Sequence, residues 1–327
     1  MDVSLGLFPT EPPRRLLDLI RLAEELGYAA VYVGDSQMIW REAFSLLGAA
    51  AVITSRIRLA PGVTNPVTRD PAVVAAAIET LIELAGPRVV LGIGAGDSSL
   101  RTLGKQPASL KQLEASIQLM RGLLAGQEVP HPESGAPVHL TYAQPAAAET
   151  PVYLAVSSPR IHRLAGRVAD GAIVLVGTDP AFLAASRREL QAGANQAERP
   201  VGRVVCWTPC SIQADGSAAR AAVKAHVARV LNRPLPFALD PATQQVVQEV
   251  RERYAYYEHM QPGTAHGEVV PDHLVERFAV AGTPVEARAQ MDRLAASGLV
   301  DEMAIIPHAA EPSEREQIIR EVGQMLR

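Results

Sequence analysis

A chain of 327 residues, 48% hydrophobic and 20% charged, has the composition of a soluble globular protein with a large core. Its net charge of −4, with no basic stripe interleaved with aromatic residues, argues against nucleic acid as a partner. The arginines are expected on solvated helix faces. The sequence has no apolar run of roughly eighteen residues and no basic signal-peptide start, so neither a membrane span nor secretion is expected and a cytoplasmic location is.

The elements alternate along most of the chain, which is typical of a parallel sheet with crossover helices. Eight strands are predicted at residues 3–8, 30–34, 57–62, 88–94, 152–156, 171–176, 204–212 and 303–306. Helices are predicted at residues 13–26, 43–53, 70–84, 109–124, 284–296 and 311–326, with three more after Pro159, after Pro180 and up to about residue 231. Residues 126–150 look like an insertion without an element of its own, and residues 232–280 like a helical insertion.

This order predicts an α/β fold, a (β/α)8 TIM barrel formed by residues 1–327 as a single domain. An open doubly wound sheet is the alternative. That fold normally carries G-x-G-x-x-G after the first strand, whereas Gly92, Gly94 and Gly96 have a different spacing and follow the fourth strand.

The two cysteines, Cys206 and Cys210, lie four positions apart without a neighbouring histidine or cysteine cluster. This spacing is typical of neither a zinc site nor a disulfide framework. Two buried apolar side chains are therefore expected, and no metal site is predicted.

Glycine and polar residues follow the third and fourth strands. Residues 62–69 read Gly-Val-Thr-Asn-Pro-Val-Thr-Arg, and residues 92–98 read Gly-Ile-Gly-Ala-Gly-Asp-Ser. Glycine allows the backbone to approach a ligand closely, and parallel α/β folds place their chemistry at the carboxyl ends of strands. The two segments therefore predict one shared pocket.

At these motifs the chain resembles the bacterial-luciferase-like superfamily, and most of all its branch of F420-dependent methylenetetrahydromethanopterin-reductase-like enzymes. The resemblance runs almost end to end. It rests on residues 22–28, 31–35, 62–66 with 68–69, 92–97 and 278–284. It implies a TIM barrel that binds coenzyme F420, or alternatively FMN, and forms a homodimer.

Three departures from that branch bear on the electron acceptor and on the choice of cofactor. Asp35 is followed by Ser36 where the branch often has a histidine, and Arg69 is followed by Asp70 rather than by a histidine. The insertion after the seventh strand also differs in character.

The resemblance implies a cis, non-proline peptide between Gly62 and Val63 that bulges against the central ring of the cofactor. Asn65 can both donate and accept at the pyrimidine edge of that ring, although it can equally be a turn asparagine before Pro66. The glycine-rich turn of Gly94, Ala95 and Gly96 is expected beside the ring.

The cofactor phosphate is expected at the start of the fifth crossover helix, because backbone N–H groups and hydroxyls there form an anion site. Ser157 and Ser158 would supply these groups, and Gly177 and Thr178 would add two donors. Helix capping is the alternative interpretation and is compatible with phosphate binding.

Asp97, Asp35 and Ser36 are the candidate catalytic residues. A partly desolvated carboxyl at Asp97 would have a raised pKa and could exchange a proton near the ring. Helix capping is the competing interpretation for both aspartates. Arg69 is left open between a cofactor anion and Asp70.

Four histidines are expected at the surface: His162 on a helix, and His259, His266 and His273 in the solvated insertion. These insertion histidines, Trp40 and the insertion tyrosines are weak candidates for substrate contacts, since the insertion should overhang the barrel mouth.

The preferred hypothesis is an oxidoreductase that transfers hydride between F420 and a small organic substrate. The alternatives are an FMN-dependent monooxygenase and a cofactor-binding barrel without turnover.

Overall fold

A computed structural model describes residues 1–258 and 260–326. The strands are β1 (Asp2–Leu7), β2 (Ala30–Val33), β3 (Arg58–Pro61), β4 (Leu91–Ile93), β5 (Val129–Pro130), β6 (Pro137–Val138), β7 (Val152–Val156), β8 (Gly171–Val174), β9 (Arg203–Ile212), β10 (Val280–Gly282) and β11 (Glu302–Pro307). The helices are α1 (Pro13–Leu26), α2 (Ala43–Ile53), α3 (Pro71–Ala85), α4 (Ser98–Arg101), α5 (Leu110–Leu124), α6 (Pro159–Val168), α7 (Pro180–Gln196), α8 (Gly216–Leu231), α9 (Pro241–Arg253), α10 (Ala265–Glu268), α11 (Asp272–Phe278), α12 (Pro284–Ala296) and α13 (Pro312–Met325).

Eight parallel strands form a barrel in the order β3-β2-β1-β11-β9-β8-β7-β4. Two isolated bridges close it between the terminal strands, one joining Leu59 to Val89 and the other joining Thr64 to Ile93. The crossover helices pack around the sheet, as their alternation in the sequence predicts. The predicted TIM barrel is confirmed.

The eight predicted strands and nine predicted helices are all present, with ends that shift by a few residues at most. The prediction that residues 126–150 contain no element of their own was wrong. They contain an antiparallel pair of strands (β5 with β6) and a short 3-10 helix, Pro145–Glu149. The insertion at residues 232–280 is helical as predicted. It ends earlier than expected, since Val280 already belongs to β10, which pairs with β9.

A buried carboxylate joins five strands at the amino end of the barrel. Glu302 accepts hydrogen bonds from Ser4, Tyr32, Arg58 and Arg203. Burial raises the pKa of this carboxyl, but its positively charged and hydroxyl partners outweigh burial and leave the pKa below its ordinary value. This end of a barrel serves stability, so the chemistry is expected at the other end.

Both cysteines are buried and unbridged on β9, which confirms the expectation. Burial raises the pKa of Cys206 to about 11 and that of Cys210 to about 12, so neither is a reactive thiolate at neutral pH. Among the described residues, no helix combines the length and the apolar character needed to cross a bilayer.

Candidate active site

The junction of β3 and β4 is built around a close approach between two backbones. The peptide between Gly62 and Val63 is cis, as the family resemblance implies. A Cβ on Gly92 would lie 2.1 Å from the Pro61 carbonyl oxygen, and one on Gly94 would lie 2.9 Å from the Val63 side chain. The glycines of β4 are thus required by packing against β3. They do not form a nucleotide-binding fingerprint.

A cavity of about 360 Å³ opens at the carboxyl ends of the barrel strands. This volume lies within the usual range for small-molecule sites. Residues at the ends of β3 and β4 line the cavity, together with apolar side chains such as Ile161, Ile173 and Trp207. The predicted site residues on its surface are Asp35, Ser36, Gly62, Val63, Gly94, Ala95, Gly96, Asp97, Ser157 and Ser158.

Asp35 is buried and held in a hydrogen-bond network. It accepts from the Thr64 hydroxyl at 2.8 Å, from Gln37 at 2.7 Å and from two nitrogens of Arg69 at 3.1 Å. It does not start a helix, because α2 begins later and is capped by Glu42. Arg69 therefore pairs with Asp35 and Glu42, which answers the open question about its partner.

Ser36 shares a hydrogen bond of 2.6 Å with Ser98, so the ends of β2 and β4 are joined through two buried hydroxyls. Both serines line the cavity. Ser36 thus lines the same cavity as Gly62 and Val63, and its hydroxyl, unlike an imidazole, does not titrate near neutral pH.

Asn65 lies outside the cavity lining. Its carbonyl oxygen accepts from the backbone N–H groups of Val67 and Thr68, and its amide donates to the hydroxyls of Thr68 and Ser99. This is the turn arrangement that was the alternative interpretation. Its side chain shapes the loop after β3 and is already engaged there.

Asp97 lies among arginines. It occupies the N-cap position of α4, but its side chain makes no capping hydrogen bond there. Its carboxylate instead contacts Arg233, with Arg229 at 3.9 Å and Arg101 at 3.4 Å. The expected isolated carboxyl beside the ring is therefore a member of a charged cluster.

Ser158 is the N-cap of α6 and makes no side-chain cap, so in the described chain no serine hydroxyl satisfies the first N–H groups of this helix. Ser157 and Ser158, at the start of this helix, line the cavity, and a helix N-terminus there suits an anion.

The prediction for His162 was wrong. It is buried in α6, where Nδ1 donates to the Ser158 carbonyl at 2.8 Å and Nε2 lies 2.8 Å from the Ser186 hydroxyl. Burial lowers the pKa of His162 to about 4, so the ring is neutral at physiological pH. The helical periodicity of α6 could not reveal this burial, because it is α7 that covers the face of α6 on which His162 lies.

Gly177 and Thr178 are not among the cavity-lining residues. Both the backbone N–H and the hydroxyl of Thr178 donate to the Arg277 carbonyl, at 2.9 and 3.3 Å. These two hydrogen bonds fasten the last turn of α11 to the loop after β8.

Of the insertion histidines, His273 is exposed as expected, but His266 is buried, which corrects the expectation. His259 lies outside the described residues. Met260 and Pro262 line a second cavity, so the insertion does reach the barrel mouth.

This second cavity has a volume of about 420 Å³. The stacked rings of Phe8 and Trp40, with centroids 4.3 Å apart, line both cavities. His308 lies on its wall and shares a 2.8 Å hydrogen bond with His226. Because this space lies beside the β1 and β11 ends, away from the β3–β4 junction, we place the candidate site in the smaller cavity.

The sequence interpretation missed Arg229 and Arg233, which were expected on a solvated face. Arg229 lies in the last turn of α8 and Arg233 just past it, and both line the candidate site. The available signal was two arginines four residues apart at the carboxyl end of a predicted helix. What the sequence could not show is that this end of α8 covers the cavity.

A parallel eight-stranded barrel with a cavity at the carboxyl ends of its strands has the architecture of the (β/α)8 barrel enzymes. The family model for luciferase-like monooxygenases matches residues 2–301, and the chain belongs to this family.

Individual relatives agree with this assignment. The chain is 28% identical over 337 residues to a 5,10-methylenetetrahydromethanopterin reductase of Methanolobus tindarius, with 99% of each chain covered. It is similar in fold to the coenzyme F420 dependent tetrahydromethanopterin reductase of Methanopyrus kandleri, with a TM-score of 0.77, 24% identity and coverage of 99% of this chain and 98% of the other. An F420-dependent secondary alcohol dehydrogenase in complex with an F420-acetone adduct gives a TM-score of 0.80 at 19% identity, with 100% of each chain covered.

Proposed function

We propose that this protein is an F420-dependent oxidoreductase that transfers hydride between the coenzyme and a small organic substrate. The observation that carries the proposal is the cavity at the β3–β4 junction, in a chain that aligns over 99% of its length with an F420-linked family branch. The full-length match to a methylenetetrahydromethanopterin reductase favours this cofactor over FMN.

The residues present fit such a cofactor. Gly62 and Val63 form a wall without a long side chain, and Gly94 keeps the adjoining β4 end close to it. Ile161, Ile173 and Trp207 supply apolar surface for a flat ring. The N-terminus of α6, at Ser157 and Ser158, would hold the phosphate.

Bound F420 supplies a hydride carrier at C5 of its deazaflavin ring. In this proposal Gly62 and Val63 would hold the ring, and the rest of the cavity would orient the substrate within its reach. Asp97 is the candidate group for proton exchange, positioned by Arg233. Asp35 accepts a hydrogen bond from Thr64, the residue after the Gly62–Val63 peptide, and Ser36 contributes a hydroxyl to the cavity lining.

Titration of the purified protein with F420 and with FMN tests this proposal. We expect F420 to bind more tightly, and the reduced complex to transfer hydride without oxygen consumption. Tight FMN binding with oxygen uptake would instead support the alternative, a luciferase-like monooxygenase. Tight F420 binding without bleaching of the ring by any donor would support a barrel without turnover.

Domain organisation, location and oligomeric state complete the proposal for this protein. We propose that residues 1–327 act as one barrel domain with insertions near residues 126–150 and 232–280, and that the protein is a cytoplasmic homodimer without nucleic-acid or membrane partners. The family resemblance supports the dimer. Light scattering coupled to gel filtration measures it directly, and a monomeric mass would contradict it.

A further inference from the structure

The carboxyl end of α8 contributes to the cavity wall a cluster in which positive charges outnumber negative ones. Arg229 and Arg233 both line the cavity, and Asp97 is the carboxylate that they contact. Arg101 reaches the same carboxylate from the exposed side. Three guanidinium groups thus share one carboxylate, and within the described residues the salt bridges of Arg229 and Arg233 are to Asp97 alone.

Burial makes this imbalance costly. The side chain of Arg229 is only 13% exposed, and burial, followed by the neighbouring charge of Arg233, lowers its pKa to about 10. In the described part of the chain, Nε of Arg229 and Nε of Arg233 are buried and lack a hydrogen-bond acceptor. A buried guanidinium normally has its donors satisfied.

A structural role alone does not account for this geometry. Arginines at the end of a helix are stabilised by its negative pole, but that interaction does not require them to face a cavity. A single Asp97–Arg233 pair would also fix the loop. The second arginine adds a positive charge, and no second carboxylate among residues 1–258 and 260–326 pairs with it.

We propose that Arg229 and Arg233 bind an anionic group of the substrate, a carboxylate or a phosphate ester. Guanidinium groups recognise both in planar, paired geometry. The pair adjoins Asp97 and the β4 end, whereas the cofactor phosphate is assigned to Ser157 and Ser158. This inference deepens the proposed function by giving its substrate a charge class.

The test is calorimetric titration with inorganic phosphate at low ionic strength, with and without saturating F420. We expect Arg233→Met to weaken phosphate binding by about tenfold or more, because one charge-assisted contact is lost. Arg101→Met is the matched control, since Arg101 touches the same carboxylate but does not line the cavity. It should change affinity by less than about twofold.

A second variant, expected to raise phosphate affinity rather than lower it, tests the proposal even if an arginine variant fails to fold. Asp97→Asn removes the competing carboxylate, so phosphate should bind more tightly to it than to the wild type. Phosphate affinity unchanged in Arg233→Met, or weakened in Asp97→Asn, would overturn the proposal.

A second comparison separates the substrate from the cofactor tail. If Arg233→Met weakened F420 but not a deazaflavin without the phosphate-bearing tail, the anion would belong to the cofactor and the proposal would fall. The apoprotein titration does not depend on F420, so its outcome is distinguishable from a failure of the proposed function.

Discussion

Single side chains in this site are fixed by partners as much as by their position in the chain. Asp35 and Asp97 both lie in the loops that follow barrel strands, yet one is bound to Thr64 and Arg69 and the other to Arg233. The charged partners of each carboxylate therefore determine what it can do in the site. Substituting asparagine for aspartate removes the charge and tests that role.

Asp97→Asn keeps the side-chain shape and removes the charge. If Asp97 exchanges a proton during turnover, kcat should fall about 100-fold or more, with F420 affinity nearly retained. Steady-state kinetics across pH measure this, with the exposed Asp18→Asn as the control. A change in KM alone would assign Asp97 to positioning the arginines.

The buried ring of His162 gives a pH prediction. Burial lowers its pKa from 6.5 to about 4, so below pH 6.5 protons bind preferentially to the unfolded chain. The neutral ring therefore contributes about 3 kcal/mol to the free energy of unfolding above pH 6.5. This contribution is lost as the pH falls towards 4.

His162→Gln should therefore flatten the dependence of unfolding free energy on pH between these values, as denaturant titrations at several pH values would show. His308, whose pKa burial lowers to about 3, retains part of the slope. His273→Gln, on an exposed side chain, should keep the wild-type slope. An unchanged slope in His162→Gln would refute the assignment.

At the scale of elements, the site depends on how closely β3 and β4 meet. The ladder between them is hydrogen-bonded at Leu59 and again at Thr64, with the Gly62–Val63 bulge between. Bulges of this kind occur beside active sites. The glycines of β4 let the two ends stay in contact across the bulge.

Gly92→Ala should destabilise the protein by at least about 2 kcal/mol, because a Cβ would lie 2.1 Å from the Pro61 oxygen. Denaturant unfolding measures the loss. Gly48→Ala is a matched control within α2, where an added Cβ has nothing within 4 Å. That change should stabilise by about 0.5–1 kcal/mol. Equal changes in the free energy of unfolding for the two substitutions would contradict the prediction, because they would show that β3 and β4 can move apart at little cost.

For the whole molecule, sequence periodicity predicted the barrel well because each strand and helix buries a face whose period is local. The strand ends 62–69 and 92–98 were placed correctly for the same reason. Contacts between distant segments were not predictable: His162 is covered by α7, Thr178 is tied to Arg277, and Arg233 reaches Asp97 from 136 positions away. No local pattern encodes those encounters.

The crystal structure of the protein with bound F420 tests the central claim most directly. It should show the ring against Gly62 and Val63, with its phosphate at Ser157 and Ser158. A ring bound beside His308 in the larger cavity, or a β3–β4 cavity left without cofactor at saturating F420, would contradict the account.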